Sequence, residues 1–191
     1  MTTTAIEVLP LTPGRWEDFS DLFGTHGAYG GCWCMWWRTT RKQFELNGNR
    51  GNQQAIQDLV NTGTIPGILA YYESVPIAWC SLAPRDDYAS LNRSRVLKPI
   101  DDQPVWSLVC FFVAKQFRGQ GIASQVLSGA INYAANQGAK IIEAYPTVSK
   151  SGSLPPVSSF MGVPSLFTAA GFVEVAHPSQ ARLIMRYTIA P

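Results

Sequence analysis

Residues 105–138, VWSLVCFFVAKQFRGQGIASQVLSGAINYAANQG, join two elements of different period across a short loop that carries two glycines. Residues 105–113 are a continuous apolar run rich in β-branched and aromatic side chains, the pattern of a strand covered on both faces. Ile122, Ala123, Val126, Leu127, Ala130, Ile131 and Ala134 recur at three- and four-residue spacing, which predicts a helix with one broad apolar face, stopped at Asn136, Gln137 and Gly138. Residues 140–145 (KIIEAY) then read as a second apolar strand. Two such strands joined by a helix form a parallel βαβ unit, so the chain is committed to an α/β layer arrangement with the helix lying back on the sheet.

The loop itself, Gln116-Phe117-Arg118-Gly119-Gln120-Gly121-Ile122-Ala123, opens the helix. The first turn of a helix has N–H groups without internal partners and lies at the positive end of the macrodipole, which suits a phosphate group. Arg118 adds a positive charge and Ser124 a hydroxyl, although two glycines are also what a tight turn alone would require. A P-loop is excluded, since Gly121 is followed by Ile122 and not by Lys. A dinucleotide fingerprint is disfavoured: Ser124 stands at the third glycine and four residues separate the strand from the loop. Glu143, about 20 residues on, keeps that reading open as a distant alternative.

QFRGQG resembles the Q/R-x-x-G-x-G/A signature of the GNAT superfamily of acetyl-coenzyme A-dependent N-acetyltransferases, and it stands between a strand and a helix as that signature does. Leu166-Phe167-Thr168-Ala169-Ala170-Gly171-Phe172 is similar to the family's late L-Y-x-x-x-G-F segment. The likeness covers roughly residues 66–189, and the Gly31–Arg38 run, GCWCMWWR, marks a subgroup within it. The resemblance implies an α/β (α+β) GNAT fold: a central, mixed, mostly antiparallel twisted sheet flanked by helices, in which the strands before and after the helix splay apart. It also implies acetyl-coenzyme A as co-substrate, held by Phe112, Val113, Gln116, Arg118, Gly119, Gln120, Gly121, Ile122, Ala123, Ser124 and Phe167.

Acetyl transfer to an amine needs a base, a donor for the developing oxyanion and a way for the thiolate to leave. By resemblance, Glu143 corresponds to the glutamate of the family's L-E-V strand segment and is the candidate base, a solvated or salt-bridged strand glutamate being the alternative. Val113 marks the place of a bulge whose backbone N–H polarises the thioester, an unbroken strand being the alternative. The usual tyrosine of the L-Y segment is replaced by Phe167, which has no proton to give. Tyr145 is the first candidate to stand in; otherwise Ser165 or Thr168 relays through water, or the thiolate leaves without a dedicated acid. The expected activity is acetyl transfer to a primary amine of a small molecule or peptide. The alternative is a GNAT-like domain that binds acyl-coenzyme A without turning it over.

The remaining chain supplies frame and walls. Strands are expected at residues 5–9, 66–72, 75–83, 172–176 and 182–189, and helices at 15–23, 52–60 and 163–170, with His177-Pro178-Ser179 as the last turn. CWCMWWR either lines an acceptor pocket or covers the sheet. Cys32 and Cys34 supply two ligands at most, so no metal site is expected and the cysteines read as thiols. Residues 85–104 carry charge of both signs and read as a solvated loop or an acceptor rim built on Asp86, Asp87, Asp101 or Asp102. Residues 146–156 read as a surface loop or a closing flap.

With 191 residues, 46% hydrophobic and 15% charged, the chain is read as one domain spanning residues 1–191. A net charge of +2 without a basic tract argues against nucleic acid, and no stretch has the length of a membrane span. A cytoplasmic location is expected, because the first residues lack the pattern of a secretory signal, and the resemblance implies a monomer or homodimer.

Overall fold

The computed structural model describes residues 6–149 and 159–190. Seven strands form one sheet: β1 (Glu7–Pro10), β2 (Gly67–Tyr72), β3 (Val75–Pro84), β4 (Trp106–Val113), β5 (Ile141–Ala144), β6 (Val173–Ser179) and β7 (Arg182–Thr188), in the order β1-β2-β3-β4-β5-β7-β6. All pairs are antiparallel except β4 with β5, which are parallel. The helices are α1 (Trp16–Phe23), α2 (Arg41–Asn61), α3 (Ala89–Asn92), α4 (Ile122–Asn136) and α5 (Pro164–Ala169). None among the described residues is long and apolar enough to cross a membrane.

Alternation along the strands divides the core. Ile68, Ala70, Cys80, Leu108, Ile142 and Ala144 pack under α4 and α5, against Val126, Leu127, Ala130 and Phe167. On the other face, Leu69, Tyr71 and Trp79 meet Phe19 and Phe23 of α1, and Ile56 and Val60 of α2. Farther along that face, Val109, Tyr145 and Ile184 are covered by Tyr88, Leu91 and Leu97. The strand read as buried on both faces is so only in its first half, since β4 becomes half-buried from Cys110 onward.

Three expectations are corrected. The second helix begins at Arg41, eleven residues before residue 52, capped by Thr40, whose hydroxyl accepts from the Gln43 N–H at 3.2 Å. Thr40 and Gln43 have the spacing of a capping box, and the helix continues past a kink at Gly48, which lies at φ +58°. The charged segment 85–104 is not a solvated loop throughout: Arg85, Tyr88, Leu91 and Leu97 are buried, so charges hide spaced anchors. The last turn falls at Gln180 and Ala181, and His177 to Ser179 lie inside β6. Of the segment 146–156, residues 150–156 lie outside the described residues; Thr147 is tied to β7 through a bridge with Arg182.

Candidate functional site

The β4–β5 pair is short. Trp106, Ser107 and Leu108 register with Ile142, Glu143 and Ala144, after which β5 ends while β4 runs on to Val113. The strands therefore part on the side where β4 leads into the glycine loop. Part of this gap is bordered by residues 159–162, whose Phe160 carbonyl accepts from the Phe111 N–H at 2.6 Å.

At the open end, residues 115–117 make a 3₁₀ turn and Gly121 caps α4 at φ +76°. A left-handed cap after Gly119 at φ +74° turns the backbone so that N–H groups face outward. Among the described residues, the N–H groups of Gly119, Gln120, Gly121, Ile122 and Ala123 meet no acceptor. A Cβ built on Gly119 or Gly121 would touch nothing within 4 Å, so the space beside the loop is open. The loop is braced from within: Arg118 Nε donates to the Val113 carbonyl at 2.9 Å and Gln120 Nε2 to the Gln116 carbonyl at 2.8 Å. Gln116, Arg118, Gln120 and Ser124 are exposed, Ala123 is half-buried, and Ile122 anchors the helix in the core. Five unpaired donors at the positive end of a 15-residue helix suit a diphosphate, so the residues fit a coenzyme A moiety.

The sequence reading placed the oxyanion donor at Val113, but Val113 stands in regular register with Ala78. The irregularity lies earlier: Ser81 pairs with Cys110 and Leu82 with Leu108, leaving Val109 as the extra residue. Phe112 faces Trp79 across the strand pair and meets the ring of Phe23. Phe167 is fully buried, packed on Phe111 and Phe172, so its ring shapes the core and offers no surface to a cofactor.

Glu143 is the middle residue of the pairing and Tyr145 follows directly on its last residue, and their side chains are sealed together. Glu143 Oε1 accepts from Arg85 Nη1 at 3.0 Å and from the Tyr145 hydroxyl at 2.7 Å, and Oε2 accepts from Arg186 Nε at 2.8 Å. Tyr145 also meets Ser107 Oγ at 2.7 Å and Arg85 Nη1 at 2.8 Å. Burial, followed by the neighbouring Glu143 carboxylate, pushes the Tyr145 phenol well above its ordinary range. Both residues have no exposed surface. A carboxylate with both oxygens engaged by cations and a phenol held so high are placed to hold structure. Arg186 extends the network outward, gripping Asp101 with Nη1 at 2.6 Å and Nη2 at 3.0 Å. Those bonds hold the Asp101 carboxyl down at about 2. Arg85 also donates to the Leu97 carbonyl at 2.6 Å, so the network fastens the segment 85–104 to the sheet.

Sequence reasoning missed Arg85, Ser107 and Arg186. One signal was there: Glu143 and Arg186 are charges within apolar strands, and they stand opposite each other in register. CWCMWWR is mostly core, with Trp33, Cys34, Met35 and Arg38 buried. Trp36 stacks edge-on with Phe44, while Tyr29, just before the run, is 68% exposed. Among the described residues, no group of three or more His, Cys, Asp or Glu could hold a metal ion. His177 is exposed, 3.5 Å from Glu174.

The sequence pattern of the acetyltransferase (GNAT) family matches residues 33–154. No curated protein sequence matches the chain. Among solved structures, an acetyltransferase of the GNAT family from Streptococcus agalactiae superposes with a TM-score of 0.59 at 12% identity, covering 100% of this chain and 99% of that one. One from Listeria monocytogenes gives 0.58 at 14% identity, covering 96% and 95%. The paia N-acetyltransferase of Thermoplasma acidophilum, solved in complex with coenzyme A, gives 0.55 at 13% identity, covering 97% and 99%. At these identities the structural likeness concerns the fold.

Proposed function

The chain belongs to the GNAT acetyltransferase family, whose co-substrate is acetyl-coenzyme A, and we propose that it transfers the acetyl group to a primary amine of a small molecule or peptide by direct attack. The single observation that carries this reading is the run of five open N–H groups at Gly119 to Ala123 beside the parted β4–β5 strands. Gln116, Arg118, Gly119, Gln120, Gly121, Ile122, Ala123 and Ser124 would hold the diphosphate, and the end of β4 at Phe112 and Val113 would flank the arm that leads to the thioester. The bound thioester supplies the acyl carbon; the chain supplies orientation and main-chain donors near the irregular part of β4.

In this proposal Glu143 is a positioning residue and not the base. Its two oxygens are committed to Arg85, Arg186 and Tyr145, so deprotonation of the amine falls to solvent or to a group outside that network. Tyr145 is likewise assigned to the network and not to the leaving thiolate.

A second reading, binding of acyl-coenzyme A without turnover, is favoured by one observation. Phe167 carries no proton and Tyr145 is sealed, so neither is available as acid. Release of free thiol from acetyl-coenzyme A across a panel of amines separates the readings. Amine-dependent release that disappears in Gly121→Glu supports transfer. Tight binding with no release from any amine supports the binding module, and absence of binding overturns both.

A further inference from the structure

β1 stands at the edge of the sheet, with β2 as its one neighbour. Next to the pair Pro10 and Ile68, the Leu11 N–H donates to the Gly67 carbonyl at 3.0 Å. Bonded pairs alternate along an antiparallel ladder, so Leu9 and Glu7 bond to β2, while the N–H and carbonyl of Ile6 and Val8 point away from the sheet. Pro10 brings no N–H to this edge, and its carbonyl accepts from Arg15 Nη1 at 3.2 Å. Ile6, Val8 and Pro10 also form one wall of a groove of about 550 Å³ whose other wall is α4. The two walls approach most closely at Gly129, where a Cβ would lie 2.7 Å from Val8.

The α4 wall is a stripe of uncharged polar side chains. Gln125, Ser128, Asn132 and Asn136 recur at spacings of three and four, which sets them on one face of the helix. Sheet edges are commonly guarded by charge, yet none of the described lining residues is charged. Gln125 Nε2 is out of water and has no hydrogen-bond partner among the described residues, so an acceptor is missing there. These features suit the chain's own copy. A side-chain amide both donates and accepts, so a stripe of amides complements itself and brings no like charges together. The outward N–H and carbonyl of Val8 complement their own image in the same way.

We propose that β1 and α4 bind a second copy of this chain about a two-fold axis that passes beside Val8, perpendicular to the sheet. Val8 of each copy donates its N–H to the Val8 carbonyl of the other, the Ile6 N–H meets the Pro10 carbonyl of the second copy, and the two sheets join into one. Because Val8 rests on Gly129, the same axis passes α4 near Gly129 and Ala130. The two copies of α4 then lie antiparallel, with Ser128 opposite Asn132 of the second copy and Gln125 opposite Asn136. The unpartnered Gln125 Nε2 finds its acceptor in the Asn136 Oδ1. Ile6, Val8 and Pro10 from both copies make an apolar centre, and the amides make an uncharged polar rim, which is the layout of a specific interface.

The test is sedimentation velocity of the full chain from low to high micromolar concentration, repeated on variants at Ser128 and Asn132, which are exposed and so can carry charge without disturbing the core. The unaltered chain should reach twice the mass of a single chain. Ser128→Asp combined with Asn132→Asp should sediment as a single chain, and so should Ser128→Lys combined with Asn132→Lys, because each variant sets like charges opposite one another twice. An equal mixture of the two variants should recover the doubled mass, which a general loss of folding would not allow. An unaltered chain that stays single at every concentration leaves the groove to some other partner and overturns the proposal. Doubling of either charged variant by itself places the contact on a different surface, and a mixture that stays single denies the pairing of Ser128 with Asn132; each overturns it as well.

Discussion

Beside the paired part of β4 and β5, Glu143, Tyr145 and Arg186 match donor to acceptor in a buried place. Past Val113, five successive N–H groups meet no acceptor among the described residues. The two regions are separated by one strand length, and both are built from polar groups. A charge removed from water must be met by partners, because each unpaired one costs several kcal/mol, so a buried network reads as structure. Donors left exposed at a helix start cost little and keep their capacity for an incoming anion, so the loop reads as a binding surface. Perturbation alone therefore does not distinguish function from scaffold; saturation does.

The largest effect is expected at the open end. Gly121→Glu places a carboxylate on the anion site and a side chain at φ +76°, and should abolish coenzyme A retention while lowering stability by only about 1–2 kcal/mol. Isothermal titration together with urea unfolding checks both parts. Loss of binding accompanied by unfolding would erase the contrast between the regions.

Next comes Glu143→Gln, which leaves Arg85 and Arg186 buried against a neutral amide. Removal of one partner from a buried ion pair costs about 3–5 kcal/mol, so the urea midpoint should fall sharply. An unchanged midpoint with lost turnover would instead return Glu143 to the chemistry. Tyr145→Phe deletes one donor to Glu143 and strands the Ser107 hydroxyl, for about 1–3 kcal/mol by the same measurement. Amine-dependent thiol release by this variant should keep its pH profile; a shift in that profile would show that the phenol does act as an acid.

The smallest effect lies at the rim. The Asp101 carboxyl is held at about 2 by Arg186, below the ordinary carboxylate value, so the support it gives is complete above about pH 4 and is lost as pH falls toward 2. Acid titration followed by tryptophan fluorescence should show a step in that window, and Asp101→Asn should remove it. A step that persists in the variant would place the acid-labile contact elsewhere.

Much of this frame can be read from residue order. The period change between residues 105–113 and 122–136 reports strand and helix because side chains must alternate on a sheet and recur every 3.6 residues on a helix. Gly119 and Gly121 are legible because the positive φ they adopt is open chiefly to glycine. The capping pair Thr40 and Gln43 was also there to be read, yet the polar stretch up to Gly51 concealed the start of α2.

Other features belong to the tertiary structure alone. Whether Glu143 meets water or Arg186 depends on β7 lying beside β5, forty-odd residues later in the chain. Arg85 reaches Glu143 across 58 residues, and Cys34 meets Trp79 across 45. The position of the β4 irregularity likewise follows from register with β3, a property of two strands and not of one. Local sequence determines which conformations each segment prefers and which groups it carries. Only long-range packing decides which of those groups are taken out of water and what they find there, and that decides whether a carboxylate is scaffold or reagent.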